Sequence, residues 1–247
     1  MDIKLNEFSH LSTPPIAGKI DFNTHANNDF ITNEAFKTLR SNILFCGKNI
    51  KTILVTSSGE NEGKSTIASE LAKSLSDIGK KTLLIDADMR KSVILRKNPL
   101  ASRILGLSEF LSDQAELFEI IYSTHIPNLN IIFSGRFPPN PVELLNSDRF
   151  ADLLQYTAEN YDFIVIDSPP LTPVIDASVI STHCDGALLV VAKNKTKITD
   201  AYAVKEQLKK SGCKILGVVL NQPTSKGSDY GLFYKKSKYY YSETHSR

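Results

Sequence analysis

Thr52-Ile53-Leu54-Val55-Thr56-Ser57-Ser58-Gly59-Glu60-Asn61-Glu62-Gly63-Lys64-Ser65-Thr66 is an apolar run that breaks into a glycine-punctuated loop. Ile67, Leu71, Leu75 and Ile78 follow at helical spacing and Gly79 closes the stretch, so the run reads as strand, loop and helix. The loop has the Walker A spacing with one departure, Ser58 in place of the first glycine. Such a loop offers a nest of backbone N–H groups and a helix N-terminus to a phosphate. Gly63 lets the backbone come close, Lys64 reaches the β/γ oxygens, and the Ser65 hydroxyl is placed to ligate Mg²⁺. Ser58, Gly59, Glu60, Asn61, Glu62, Gly63, Lys64, Ser65 and Thr66 are the candidate nucleotide-binding residues.

Outward from this unit the alternation continues. Thr82-Leu83-Leu84-Ile85, Leu129 to Phe133, Phe163 to Ile166, Gly186 to Val191 and Ile215 to Leu220 are short aliphatic runs. Helical stretches separate them, notably Val142 to Asn160 and Thr199 to Ser211. Apolar strands alternating with amphipathic helices predict an α/β fold, a single P-loop domain with a mostly parallel sheet and helices on both faces. Ligands of such sheets sit beyond the carboxyl ends of the strands. Two acidic strand ends fall there, Ile85-Asp86-Ala87-Asp88-Met89-Arg90-Lys91 and Ile166-Asp167-Ser168-Pro169-Pro170. Asp167 is the Walker B candidate for holding Mg²⁺. Asp86 and Asp88 form a second acidic pair, one member free to face the nucleotide while the other steadies the loop; for Asp88 a helix cap or turn aspartate is an equally open reading. Asp176 reads as a helix cap. Asn221 can present an amide to a nucleobase edge or serve as a turn residue before Pro223.

Composition bounds the remainder. The 247 residues suffice for a full core, and 41% hydrophobic with 23% charged residues excludes wholesale disorder. A net charge of +2 is too balanced for a chain whose main partner is naked nucleic acid. No apolar run approaches the ~20 residues of a membrane span, and the beginning lacks a signal-peptide pattern. Cys46, Cys184 and Cys213 form no CxxC pair, which fits a reducing cytoplasm. Residues 1–30 read as an irregular arm, and Asn33 as the cap of a helix carrying Phe36, Leu39, Ile43 and Leu44. Residues 31–223 read as the P-loop domain and 224–247 as a flexible tail. Tyr230, Tyr234, Tyr239, Tyr240 and Tyr241 are five of nine tyrosines, all within the last eighteen residues, where uniform usage predicts fewer than one. Interleaved Lys235, Lys236 and Lys238 argue against a core segment.

In this order the motifs resemble the bacterial tyrosine kinase (BY-kinase) family, in its stand-alone cytoplasmic form associated with capsule and exopolysaccharide synthesis. The features that carry the resemblance are Glu34-Ala35-Phe36-Lys37-Thr38-Leu39-Arg40-Ser41-Asn42-Ile43, the Walker A loop, Asp86-Ala87-Asp88-Met89-Arg90-Lys91, Ser134 to Leu145, Asp167-Ser168-Pro169-Pro170 and the tyrosine tail. The resemblance implies ATP and Mg²⁺ as cofactors and autophosphorylation of the tail tyrosines as the first reaction. It gives Lys64 and Ser65 to phosphate and Mg²⁺, Asp167 to the metal, Asp86 to base or metal contact, Asp88 to its support and Asn221 to the adenine side. It further implies a ring-shaped homo-oligomer built by the 31–47 helix through Glu34, Lys37 and Arg40, where Lys37 stands for a family arginine. Phosphorylation in trans, recruitment to the inner face of the membrane by a separate transmembrane activator, and a phosphotyrosine phosphatase as antagonist complete the expectation. Two alternatives are a ParA/MinD-like ATPase switch, which carries a second lysine where this chain has Gly59, and a non-catalytic nucleotide-sensing scaffold of a polysaccharide machine.

Overall fold

The computed structural model describes residues 16–22, 30–98, 103–172 and 174–221. An eight-stranded sheet is its centre. The strands are β1 Gly18–Ile20, β2 Thr52–Ser57, β3 Thr82–Asp86, β4 Ile121–Thr124, β5 Leu129–Ile132, β6 Phe163–Asp167, β7 Gly186–Ala192 and β8 Ile215–Asn221, and their order is β1-β4-β5-β3-β6-β2-β7-β8. All neighbours pair in parallel except β4 with β5. The helices are α1 Phe30–Phe45, α2 Lys64–Ser76, α3 Val93–Arg96, α4 Leu107–Leu111, α5 Leu117–Ile120, α6 Pro141–Leu145, α7 Asp148–Asn160, α8 Asp176–Ser181 and α9 Ile198–Lys210.

The pleat sorts successive residues of β2 onto opposite faces. Ile53 and Val55 join Leu84, Val165 and Val190 beneath α1 and α2, where Ile43, Ile67, Leu71 and Leu75 meet them. Leu54 joins Leu83, Ile85, Ile164, Ile166 and Leu189 on the other face, against Phe150, Leu153, Ile180, Val204 and Leu208. Every residue of β2, β3 and β6 is buried, as expected for central parallel strands covered twice. Their carboxyl ends are therefore held rigidly, and the loops that follow them inherit that rigidity.

The α/β expectation holds, with local differences. Within the stretch read as an irregular arm, β1 pairs with β4 and buries Ile20 and Phe22; three residues are too few to show a period. Strand β4 was missed for the same reason and reaches β5 through a tight return with Asn128 at φ 62°. Asn33 lies inside α1 rather than capping it. The single helix expected over 142–160 is two, because Ser147 adopts extended φ/ψ and its hydroxyl accepts from the Phe150 N–H to start α7. The tail from 224 onward, with all five clustered tyrosines, lies outside the described residues.

Helix α2 seats the glycine loop, and Leu71 in it is fully buried. Leu71→Ala is expected to destabilise the protein by about 2–5 kcal/mol, read as a lower urea midpoint at unchanged slope.

Candidate active site

Residues 58–63 turn from β2 into α2. Asn61 at φ 55° and Gly63 at φ 92° give the loop its two left-handed residues. Gly63 is needed twice over: its φ is left-handed, and a Cβ there would lie 1.9 Å from the Asn221 Nδ2. Behind the loop the carboxyl ends of β3 and β6 deliver their acids. Asp86 and Asp167 are direct register partners across those strands and both are fully buried.

The Lys64 side chain lies 92% buried, its ammonium 3.2 Å from Asp88 Oδ2. Burial pulls its pKa down, but the charges of Asp167, Asp88 and Asp86 outweigh that and hold it above the usual lysine range. Asp88 also accepts the Lys91 backbone N–H at 2.9 Å, which closes the turn after β3. Asp86 accepts the Ser92 hydroxyl and, at 3.3 Å, the Asp88 N–H. Neither carboxylate oxygen of Asp167 accepts a hydrogen bond, although both are buried. The Ser65 hydroxyl lies near Asp167 and opposes its pKa rise, without reaching hydrogen-bond geometry. Burial pushes Asp86 up to about 8, with the charge of Asp167 adding to it. Burial likewise pushes Asp167 up to about 6, with Lys64 pulling it back. Two buried acids at neighbouring strand ends cannot both ionise cheaply without a cation between them.

An open cleft of about 270 Å³ lies over this group, lined by Gly63, Lys64, Ser65, Asp88 and, on its far wall, Arg90, Arg96 and Pro169. Arg90 makes a bidentate pair with Asp176, at 2.7 and 3.1 Å, joining the turn after β3 to the first turn of α8. Asp176 is thus an ion-pair partner inside the helix rather than its cap. Lys91 pairs with Glu60 at 2.6 Å on the rim.

The structure therefore brings together Lys64, Ser65, Asp86, Asp88 and Asp167, the residues read from the sequence as one site. Asn221 reaches the same loop from β8, where its amide donates to the Glu62 carbonyl at 2.9 Å. Sequence reasoning missed Ser92, six residues beyond Asp86, and it missed Arg90 with Asp176 and the contacts of Lys195 and Thr196 to the loop, which depend on segments distant in the chain. Elsewhere, Glu34 and Lys37 form an exposed ion pair at 2.7 Å on α1. Arg40, on the same helix, donates to the Ser74 carbonyl of α2 at 2.8 Å.

The orphaned Asp167 oxygens beside a loop-terminal serine suit a divalent cation that takes one carboxylate, one hydroxyl, phosphate and water. Among the described residues no group of three His, Cys, Asp or Glu side chains forms a self-sufficient metal cage, and a cation of this kind does not need one.

A family profile described as AAA domain matches residues 50–196. Tyrosine-protein kinase CpsD of Streptococcus agalactiae serotype Ia is 42% identical over 200 residues, 81% of this chain and 86% of the relative. The crystal structure of the chimerical protein CapA2B2 superposes with TM-score 0.75 at 34% identity, over 90% of this chain and 100% of the other. The septum site-determining protein MinD of Pyrococcus horikoshii, solved with Mg-ADP, gives TM-score 0.61 at 26% identity over 72% of each chain. The fold and its loop are thus those of nucleotide-binding P-loop proteins.

Raised carboxyl pKa values mean the folded, ligand-free protein binds more protons than the unfolded chain. The stability this contributes is complete below pH ~4 and is lost as pH rises through about 6 and about 8. The melting temperature of ligand-free protein is expected to fall between pH 6 and 8, and Asp86→Asn to flatten that slope in thermal scans.

Proposed function

The chain belongs to the bacterial tyrosine kinase family and is a protein-tyrosine kinase, and on that premise we propose that it uses Mg²⁺-ATP to phosphorylate first its own clustered tail tyrosines and then other proteins, regulating the synthesis and export of a capsular or extracellular polysaccharide. The observation that carries this reading is the buried Lys64 ammonium set among Asp86, Asp88 and Asp167 at the mouth of a phosphate-shaped loop.

In this reading the loop amides and the α2 N-terminus bind the β-phosphate, and Lys64 swings from Asp88 to the β/γ oxygens. Ser65 and Asp167 would hold Mg²⁺, which when bound would supply positive charge against the transferring phosphoryl group. The cleft wall formed by Arg90, Arg96 and Pro169 orients the incoming tyrosine. The phenolic oxygen forms the new bond to the γ-phosphorus, the bond to the β–γ bridging oxygen breaks, and ADP leaves. The phenol's proton passes to Asp86, which Ser92 and the Asp88 N–H keep in place and which is ionised in the loaded site, where the cation's charge would offset the burial that raises its pKa.

The acceptors are Tyr230, Tyr234, Tyr239, Tyr240 and Tyr241. They reach the cleft of a neighbouring copy in a ring that uses α1, supported by Phe30, Ile31 and Phe45 standing exposed on that helix. Each phosphate adds nearly two negative charges to a basic tail, and several together release it from acidic neighbours and open the ring. No helix among the described residues is long and apolar enough to cross a membrane. A separate transmembrane activator places the kinase at the inner face of the membrane, and a phosphotyrosine phosphatase resets it. The likeness to MinD favours a nucleotide-driven switch as the second reading, but Gly59 occupies the position of that group's extra lysine.

Incubation with Mg²⁺-ATP is expected to give phosphotyrosine on blots of the wild type, alone or with the activator, and a signal lower by on the order of 100-fold or more in Lys64→Met, since charge stabilisation at the transferring group is the largest single contribution. Unmodified tyrosines under every activating condition would overturn the kinase mechanism. A protein with all five tail tyrosines changed to Phe is expected to stay oligomeric after ATP treatment in size-exclusion chromatography while the wild type dissociates.

A further inference from the structure

Glu62 is an acid inside a loop built for phosphates. Its charge works against anion binding, and yet its side chain is buried, with the residue 3% exposed. Its two oxygens are fully engaged. They accept the Ser58 hydroxyl at 3.0 and 3.1 Å and the Gly59 N–H at 3.0 Å, so the carboxylate fastens the start of the loop to its end. The Thr196 hydroxyl approaches the same carboxylate from the loop between β7 and α9. Thr196 is itself fixed, accepting the Ala192 N–H at 2.9 Å. At the backbone of the same residue, Asn221 donates to the Glu62 carbonyl. Lys195 donates to the carbonyls of Glu60 and Asn61 at 2.8 and 3.0 Å. Three consecutive loop residues are thus gripped from β7–α9 and β8.

We propose that Glu62 and Thr196 are positioning residues for nucleotide binding, forming with Ser58 a clamp that holds the phosphate loop in its binding shape before nucleotide arrives. The serine in place of the first Walker glycine then has a function, since glycine has no hydroxyl to give Glu62. A loop that occupies its competent shape only part of the time binds weaker by that fraction. Bound phosphates restore the shape on their own, so the loss falls on affinity rather than on turnover. The inference rests on the loop's reading as a nucleotide site, and ADP affinity tests it without any phosphoryl transfer.

Thr196→Val keeps the side-chain shape and removes the hydroxyl. The dissociation constant for ADP, measured by titration calorimetry, is expected to rise about tenfold, as for loss of a hydrogen bond to a charged group. KM for ATP should rise with it while kcat stays within about twofold, and Thr196→Ser, which keeps the hydroxyl, should restore both. Unchanged ADP affinity in Thr196→Val, or failure of Thr196→Ser to rescue, overturns the clamp. Should Thr196→Val not fold, Ser58→Ala reaches the same carboxylate from the opposite side, and it must show the same loss of ADP affinity or the proposal fails. If ADP binding follows the expected series while no sample acquires phosphotyrosine, the kinase mechanism fails and the clamp stands.

Discussion

The organising interaction is the enclosure of one ammonium by three carboxylates at the ends of two adjacent strands. Removing such charges from water costs several kcal/mol each, and no single pair here would recover it. The arrangement persists because β3 and β6 bring Asp86 and Asp167 into register, while the turn after β3 places Asp88 on Lys64. Without a ligand the group remains under-satisfied, as the bare Asp167 oxygens show. That residual electrostatic cost is what a metal and a polyphosphate would relieve, so ligand-free instability and ligand affinity have a common origin.

The rest of the molecule serves the precision of that enclosure. Central strands buried on both faces leave no slack in the sheet, and α2 docks its apolar stripe directly onto it. The loop between them has a second set of supports in Thr196, Lys195 and Asn221. Arg90 and Asp176 brace the far wall of the cleft in turn. The site is therefore assembled from five strand ends, and each contributes a contact that its neighbours cannot supply.

The scaffold alone does not choose the reaction, because proteins of this architecture do different things with a bound nucleotide. The superposition on MinD reflects the shared scaffold. The differences lie in a few side chains. Position 59 is a glycine in this chain, and the Glu62 carboxylate accepts its N–H at 3.0 Å. The cleft is lined by Arg90 and Arg96 as well as by the loop.

Local chemistry determined much of this from the sequence by itself. The strand–loop–helix at 52–78 declares itself through contiguous residues, since the loop's glycines and lysine must occupy fixed offsets to meet one phosphate. The unbroken aliphatic runs name the central strands because burial on both faces permits little else. Short elements escaped: β1 and β4 are held by pairing partners about a hundred residues away or across a hairpin, and three or four residues carry no period. The split at Ser147 likewise turned on one backbone conformation. Tertiary structure alone decided the supports of the site, for Arg90 with Asp176, Thr196 with Glu62, and Arg40 with Ser74 join segments that only folding makes adjacent. Sequence fixes which groups can react; distance through space fixes which of them meet, and in a parallel sheet that distance is set by strand order rather than by position along the chain.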